Sequence, residues 1–336
     1  MNEIFEKKKC YPLTANVQKY LKKYGRTFKL PLAYETLARY TDSFPLGNTL
    51  WITVMYKQDD FIEINQALCF IYSLLKTEGD ISVMEHLRVD RIDYCLFGNS
   101  NPFRIKIINN FNDNYDYFYV KKTDVSRIFG LELEDILSPN KVNYFIDKNT
   151  LIEEHISGIP GDDYIDSELN HPKTNKTRLA KEFIKFNERC FYTLLGDMRA
   201  YNFVVEITHD FDDVQYRIRS IDFDQQCYEG KKKIYLPQFY KENLKFVELS
   251  IAALNPQTIL QYQIEEQSRI VRRMKHERHM LNDLFETMDK ETLSSTDKIN
   301  QLKKELAEHH HNTDFLLCKS MSQILKLNLE SIHKKT

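Results

Sequence analysis

Residues 194–205 read LLGDMRAYNFVV, and one strand pair later residues 220–224 read SIDFD. The reading of the whole chain turns on these two stretches. In the first, a Gly-Asp pair opens a turn, Asn202 follows Asp197 by five positions, and an apolar strand pattern, NFVVEIT, takes over at once. In the second, the alternating run YRIRSIDFD ends on two acids, Asp222 and Asp224. Turn chemistry alone accounts for either piece, because Gly, Asp and Asn are common turn residues. Together they require an Asp-to-Asn spacing, a flanking strand and a second acid after the returning strand.

The order and spacing of Asp197, Asn202 and Asp222 resemble the catalytic loop and metal motif of phosphotransferases with the protein-kinase fold. Gly196 before Asp197 is similar to the form found in the aminoglycoside-phosphotransferase and choline-kinase type. The resemblance implies a two-lobed α+β fold: a small antiparallel-sheet lobe with one packed helix, then a mainly helical lobe. It implies ATP and Mg²⁺ as ligands, with Asp197 at the acceptor hydroxyl and Arg199 near the γ-phosphate. Asn202 and Asp222 fall at the metal positions, and Asp224 either joins them or caps the turn. Hard Mg²⁺ prefers oxygen ligands of this kind. Two departures stand out: Leu195 occupies the usual place of a His, and the metal motif reads Asp-Phe-Asp instead of Asp-Phe-Gly.

Upstream, three segments rich in aromatic and β-branched residues, RIDYCLF, PFRIKII and DYFYVKK, predict an antiparallel meander. The turn Gly98-Asn99-Ser100-Asn101 resembles the short phosphate-covering turn of the aminoglycoside-type kinases, so Gly98, Ser100 and Asn101 become nucleotide candidates. Tyr119-Val120-Lys121 resembles the third-strand lysine motif; alternation puts Tyr119, a candidate to lie against adenine, on the face of Lys121, and the competitor Lys122 on the other. A helix is predicted over 124–137, where Glu134 or Glu132 is to reach back to the lysine, with Glu134 preferred. LIEEHISG at 151–158 resembles a hinge, offering the Glu154 carbonyl and the Ile156 N–H to the adenine edge.

Composition is ordinary for a globular chain: 336 residues, 42% hydrophobic, 29% charged, formal charge -2, which gives no electrostatic reason to expect nucleic acid. The six cysteines are scattered without a Cys-x-x-Cys pair, so neither a zinc site nor a disulfide framework is suggested. The charged N-terminus has no signal-like apolar run, no membrane span is predicted, and a cytoplasmic setting is the natural reading.

Before the meander, residues 1–90 look like an ordered α/β extension, with a strand at 49–56 and a helix at 60–76. Residues 91–158 are read as the sheet lobe and 159–336 as the helical lobe. A polar loop is predicted over 162–177, a buried helix over 178–192, and further helices over 262–288, 295–310 and 314–332. His309-His310-His311 and the basic run 269–278 are read as solvated helix faces. Lys231-Lys232-Lys233, Tyr235 and Glu265-Glu266 are acceptor-pocket candidates without a pattern. The functional expectation is an ATP- and Mg²⁺-dependent phosphotransferase acting on the hydroxyl of an unidentified small molecule. The alternative is an inactive kinase-like scaffold, binding a protein partner through the N-terminal extension or the C-terminal helices.

Overall fold

In the computed structural model of the chain, the described residues are 8–47, 49–76, 81–210 and 213–334. They form two compact units, Met1–Val125 with Val142–His155, and Ser126–Lys141 with Ile156–Thr336. The fold is α+β, one unit built on an antiparallel sheet and the other mainly helical.

The first unit opens with α1 (Ala15–Lys23), whose N-terminal amides are capped by the Thr14 hydroxyl, which accepts from Val17 N–H at 3.3 Å. A short α2 (Tyr34–Leu37) leads to β1 (Asp42–Pro45), β2 (Trp51–Met55), α3 (Gln58–Lys76), β3 (Leu87–Cys95), β4 (Phe103–Asn109) and β5 (Tyr115–Lys122). The chain then runs through α4 (Val125–Leu137) and returns for β6 (Tyr144–Asp147) and β7 (Thr150–Glu154). All seven strands join one sheet in the order β1-β2-β3-β4-β5-β7-β6, each neighbour antiparallel.

Strand alternation splits this sheet into two chemically different faces. Ile92, Phe103, Ile105, Phe118, Val120 and Ile152 turn to one face and pack with Ile64, Leu68 and Ile71 of α3. On the other, Thr53, Asp93, Arg104, Tyr119 and Glu153 are successive cross-strand neighbours. Asp93, sealed from water, accepts from the Thr53 hydroxyl at 2.9 Å and pairs with Arg91 and Arg104 at 2.9 Å each. A buried carboxylate needs such partners.

The boundary drawn at residue 90 differs from the observed grouping, because β2 hydrogen-bonds β3 (Trp51↔Cys95, Ile52↔Tyr94, Thr53↔Asp93) and α3 covers the meander. Residues 8–90 therefore belong largely to the sheet unit. The helix after β5 is grouped with the second unit instead, since its Arg127 pairs there with Asp222 and Asp224.

In that second unit β8 (Ile159–Pro160) is followed by α5 (Gly161–Ser167), α6 (Lys176–Thr193), β9 (Phe203–Asp210), β10 (Asp213–Ser220), α7 (Leu244–Ala253), α8 (Pro256–His276), α9 (Arg278–Met288), α10 (Thr296–His310) and α11 (Met321–Glu330). The strands order as β10-β9-β8. Around α6 the core is aromatic: Phe183 stacks on Phe246 at 5.3 Å, and Tyr164 and Phe203 close on Phe246 at 6.2 and 5.7 Å. Every residue of α6 from Phe183 to Thr193 is buried, charged ones included.

Their charges are answered by α8. Lys185 pairs with Glu265 at 2.9 Å, Arg189 with Glu266 at 3.0 Å, and Glu188 accepts from Gln263 and Gln267 at 2.8 Å each. Glu265 and Glu266 thus have a structural employment, as does the buried Tyr235, whose hydroxyl donates to the Glu229 carbonyl at 2.6 Å.

Other expectations shift locally. The polar loop over 162–177 contains α5, and the helix expected over 262–288 breaks at Glu277 into α8 and α9. The stretch 314–332 is a 3-10 turn, Thr313–Leu317, followed by α11. Of the histidines, His309 and His311 are exposed as expected, although His309 meets Phe191 edge-on at 5.0 Å, whereas His310 is half-buried and stacks on Phe315 at 5.2 Å. In the basic run, Arg273 donates to the carbonyls of Asp135 and Ile136 at the C-terminus of α4, a placement the helix dipole favours. No helix among the described residues is long and apolar enough to cross a membrane.

The packing of α3 makes a directional prediction. Leu68→Ala, at a fully buried position, is expected to lower unfolding stability by about 2–5 kcal/mol. Ile62→Ala, on the exposed side of the same helix, should stay within about 0.5 kcal/mol in the same urea titration.

Candidate functional site

The C-terminus of α6 delivers the loop 194–202. Leu194 ends the helix in the left-handed region (φ 54), its N–H still on the Phe191 carbonyl. Leu195 is buried and bridges Gln226. The Gln226 side-chain amide donates to the carbonyls of Thr193 (2.5 Å) and Leu194 (3.3 Å), and Cys227 N–H reaches Leu194 O at 2.9 Å. Gln226, two residues past Asp224, therefore braces the end of α6 and the start of the loop.

Asp197 is itself left-handed (φ 58), a conformation that costs a non-glycine residue about 1–3 kcal/mol unless its surroundings enforce it. Here they do. Its N–H reaches the Tyr240 hydroxyl (3.1 Å) and the Ile234 carbonyl (3.2 Å), while its carbonyl accepts from Arg199 N–H (2.9 Å) and the Asn202 side-chain amide (2.7 Å). Asn202 thus closes the loop on Asp197.

The Asp197 carboxylate accepts from Arg199 Nε at 2.8 Å, and the same guanidinium meets Glu242 at 2.9 Å and lies over the Tyr240 ring at 5.1 Å. Burial holds the Asp197 carboxyl above the usual carboxylate range, with Glu242 adding to the rise and Arg199 opposing it. A carboxylate so placed is a better proton acceptor than a fully solvated one.

From the returning strand, Ile221 N–H donates to the Asn202 carbonyl at 3.0 Å, which sets Asp222 beside the loop. Arg127 Nη1 donates to Asp222 Oδ1 at 2.8 Å and to Asp224 Oδ1 at 2.7 Å. Asp222 Oδ1 also accepts from Asp224 N–H at 3.0 Å. The Arg127 side chain is 2% exposed and that of Asp224 5%, so this pairing is internal; Asp222, at 32%, is at its mouth.

The set expected for Mg²⁺, Asn202, Asp222 and Asp224, therefore does not fit a metal ion in this arrangement. Both acids already share a fixed cation, and the Asn202 amide is turned to the loop. Among the described residues no cluster of three acidic, His or Cys groups forms a metal site. Between the two acids, buried Phe223 presses on α4, where a Cβ at Gly130 would stand 2.8 Å from Phe223 Cβ.

Glu134, the preferred partner for the lysine, is buried in α4 rather than on a solvated face, as is Glu132. Burial raises the Glu134 carboxyl, against the pull of Arg189 and Arg219 in its own unit. Ile156 is likewise buried in the second unit.

In the first unit Lys121 is buried and Lys122 exposed. Lys121 Nζ donates to Glu153 Oε2 at 2.6 Å; Glu153 is directly opposite Tyr119, hence diagonal to the lysine across β5 and β7. Tyr119 is in the same row, its ring 5.1 Å from Lys121 Nζ and its hydroxyl sharing a hydrogen bond with His155 Nδ1 at 3.2 Å. Burial pushes that hydroxyl up to about 12. The turn at Gly98 is a closed β-turn, Asn101 N–H on Gly98 O at 3.1 Å, with Ser100 buried and its carbonyl accepting from Lys122 N–H at 3.2 Å. Asn101 is left-handed (φ 45) and accepts at its carbonyl from the Tyr34 hydroxyl. Gly98 is required sterically, since a Cβ there would lie 2.5 Å from Pro102 Cδ. Glu154 uses its carboxylate to hold Asn143 at 2.7 and 3.1 Å.

Asp197, Arg199 and Asn202 are thus joined by hydrogen bonds in one unit, with Asp222 next to the Ile221 amide that meets Asn202, and in the other Lys121 Nζ lies over the Tyr119 ring. Sequence reasoning missed Arg127, Glu153, Gln226, Tyr240 and Glu242. Only Glu153 had a readable signal, through alternation on a strand whose neighbour was unknown.

No family profile and no curated protein matches the sequence. Among solved structures, the chain is similar to one described as titin kinase and its flanking domains, at 11% identity and a TM-score of 0.25. That match covers 73% of this chain and spans about half, 54%, of the other. So loose a likeness transfers no residue.

Two outcomes test this geometry. Gly130→Ala should destabilise the protein by about 1–3 kcal/mol through overpacking on Phe223, although alanine is favoured over glycine in helices by about 1 kcal/mol. Asp197→Asn should raise the melting temperature at pH 7. The folded carboxyl, raised above its unfolded value, binds more protons than the unfolded one, so wild-type stability falls as pH rises between the two values. Asparagine lacks that loss, and the gap between variant and wild type should close below about pH 4.

Proposed function

We propose that the chain is a phosphotransferase that takes ATP as donor and the hydroxyl of a small molecule as acceptor. The observation that carries this reading is the loop around Asp197: a carboxylate held above its usual range, oriented by Arg199, on a backbone locked by Asn202, Tyr240 and Gln226. In the reaction the acceptor oxygen attacks the terminal phosphorus and the bond from that phosphorus to the bridging oxygen breaks. The nucleoside diphosphate departs, and Asp197 takes the hydroxyl proton. Arg199, committed to Asp197 and Glu242, acts by positioning the carboxylate. Lys121, held by Glu153, is assigned to the phosphates. The Mg²⁺ expected from the resemblance enters no step here.

A second reading has its own support. Arg127, by occupying both Asp222 and Asp224, favours a kinase-like binding module without turnover. The two readings part in one experiment, thermal shift with ATP followed by measurement of ADP formation. For a phosphotransferase, ATP raises the melting temperature, Lys121→Met weakens that binding ~10-fold or more, and Asp197→Asn leaves binding intact while lowering ADP formation by about 100-fold or more. ATP binding without ADP formation in any acceptor mixture would favour the binding module. No shift at millimolar ATP would remove the nucleotide from both readings.

A further inference from the structure

We infer that Arg127 is a built-in cation in the place where a divalent metal is expected, so that the acidic pair Asp222 and Asp224 takes no metal and nucleotide is bound metal-free. The inference rests on the nucleotide reading only for its second half.

The first half stands on charge and geometry. One guanidinium nitrogen bridges the two carboxylates at 2.8 and 2.7 Å, and Arg127 Nη2 adds a contact to the Ile221 carbonyl at 3.3 Å. Two acids and one arginine leave a single net negative charge, where a dication would need at least two for neutrality. A metal ion bonded at about 2.1 Å to Asp222 Oδ1 would have to share that oxygen with Arg127 Nη1 and with Asp224 N–H. Like charges would then be forced together in a site whose arginine is 2% exposed and so poorly screened.

Arginine is suited to this duty. It stays charged at any accessible pH, and its planar fork lets Nη1 meet both carboxylates while Nη2 reaches the Ile221 carbonyl. Its position is fixed by α4, the helix that also packs Gly130 against Phe223 between the two acids. A mobile lysine on the surface would not hold both acids closed; a buried arginine on a helix does.

The test uses Mn²⁺ as the metal probe and the full chain, with free Mn²⁺ followed by electron paramagnetic resonance. Wild type is expected to show no saturable site up to about 1 mM Mn²⁺, and Arg127→Gln to create one at least ~10-fold tighter. That new site should vanish when Asp222→Asn is added. A wild-type site in the same range that Asp222→Asn abolishes would overturn the inference, as would a folded Arg127→Gln that gains none. Should Arg127→Gln fail to fold, the wild-type and Asp222→Asn titrations decide alone. In parallel, the ATP-induced thermal shift should be equal in EDTA and in Mg²⁺; a shift seen only with Mg²⁺ would also overturn it. An absent shift under both conditions counts against the nucleotide reading, while the Mn²⁺ titrations still decide the role of Arg127.

Discussion

A guanidinium almost sealed from water must have its charge answered within hydrogen-bond reach, and in the helical unit that requirement draws two distant pieces of chain to one point. Arg127 comes from α4, while Asp222 and Asp224 come from the turn after β10. Between the acids, Phe223 is pressed on Gly130. Removing one partner of such a group is commonly worth several kcal/mol, because the charge left behind has lost its solvent as well as its pair. The clamp therefore fixes where the turn sits, and through Ile221 N–H it fixes the loop of Asn202 and Asp197 beside it.

The same principle recurs in two other places. In the sheet unit Asp93 is sealed among Thr53, Arg91 and Arg104, in a row that continues through Tyr119 to Glu153 and Lys121. Along α6, Lys185, Glu188 and Arg189 are buried against α8. Buried ionic contacts of this kind are weak contributors to net stability but strongly penalise wrong registers, since a shifted strand or rotated helix would leave a charge unpaired. Apolar packing by Phe103, Phe118, Phe183 and Phe246 supplies the drive to collapse. The charges select which collapse is allowed.

For function, the loop of Asp197 and the turn of Asp222 have different characters. The loop has what proton transfer to a carboxylate asks for: a group above its usual range, partly exposed, with its orientation set by a neighbour. The turn has what metal binding does not ask for, a resident cation. Both follow from burial, which raises the Asp197 carboxyl against the pull of Arg199 in the first case and demands an internal counter-charge in the second.

Much was legible in the sequence, where the signal is local. Alternation in PFRIKII and DYFYVKK gave β4 and β5, and helical spacing gave α3, α4 and α6 within two residues at either end. The spacing of Asp197, Asn202 and Asp222 marked the loop and turn that the structure joins. What was not legible depends on long-range partners. Alternation cannot say that β7 lies beside β5, so Glu153 as the companion of Lys121 was invisible. Helical spacing cannot say that the polar side of α6 meets α8, nor that the arginine opening α4 reaches two acids 95 and 97 positions away. The sequence by itself determined the strongly periodic elements, the α+β class and the residues worth watching. Only the tertiary structure decided their partners, because a charge acts over a few ångströms of space and takes no account of distance along the chain.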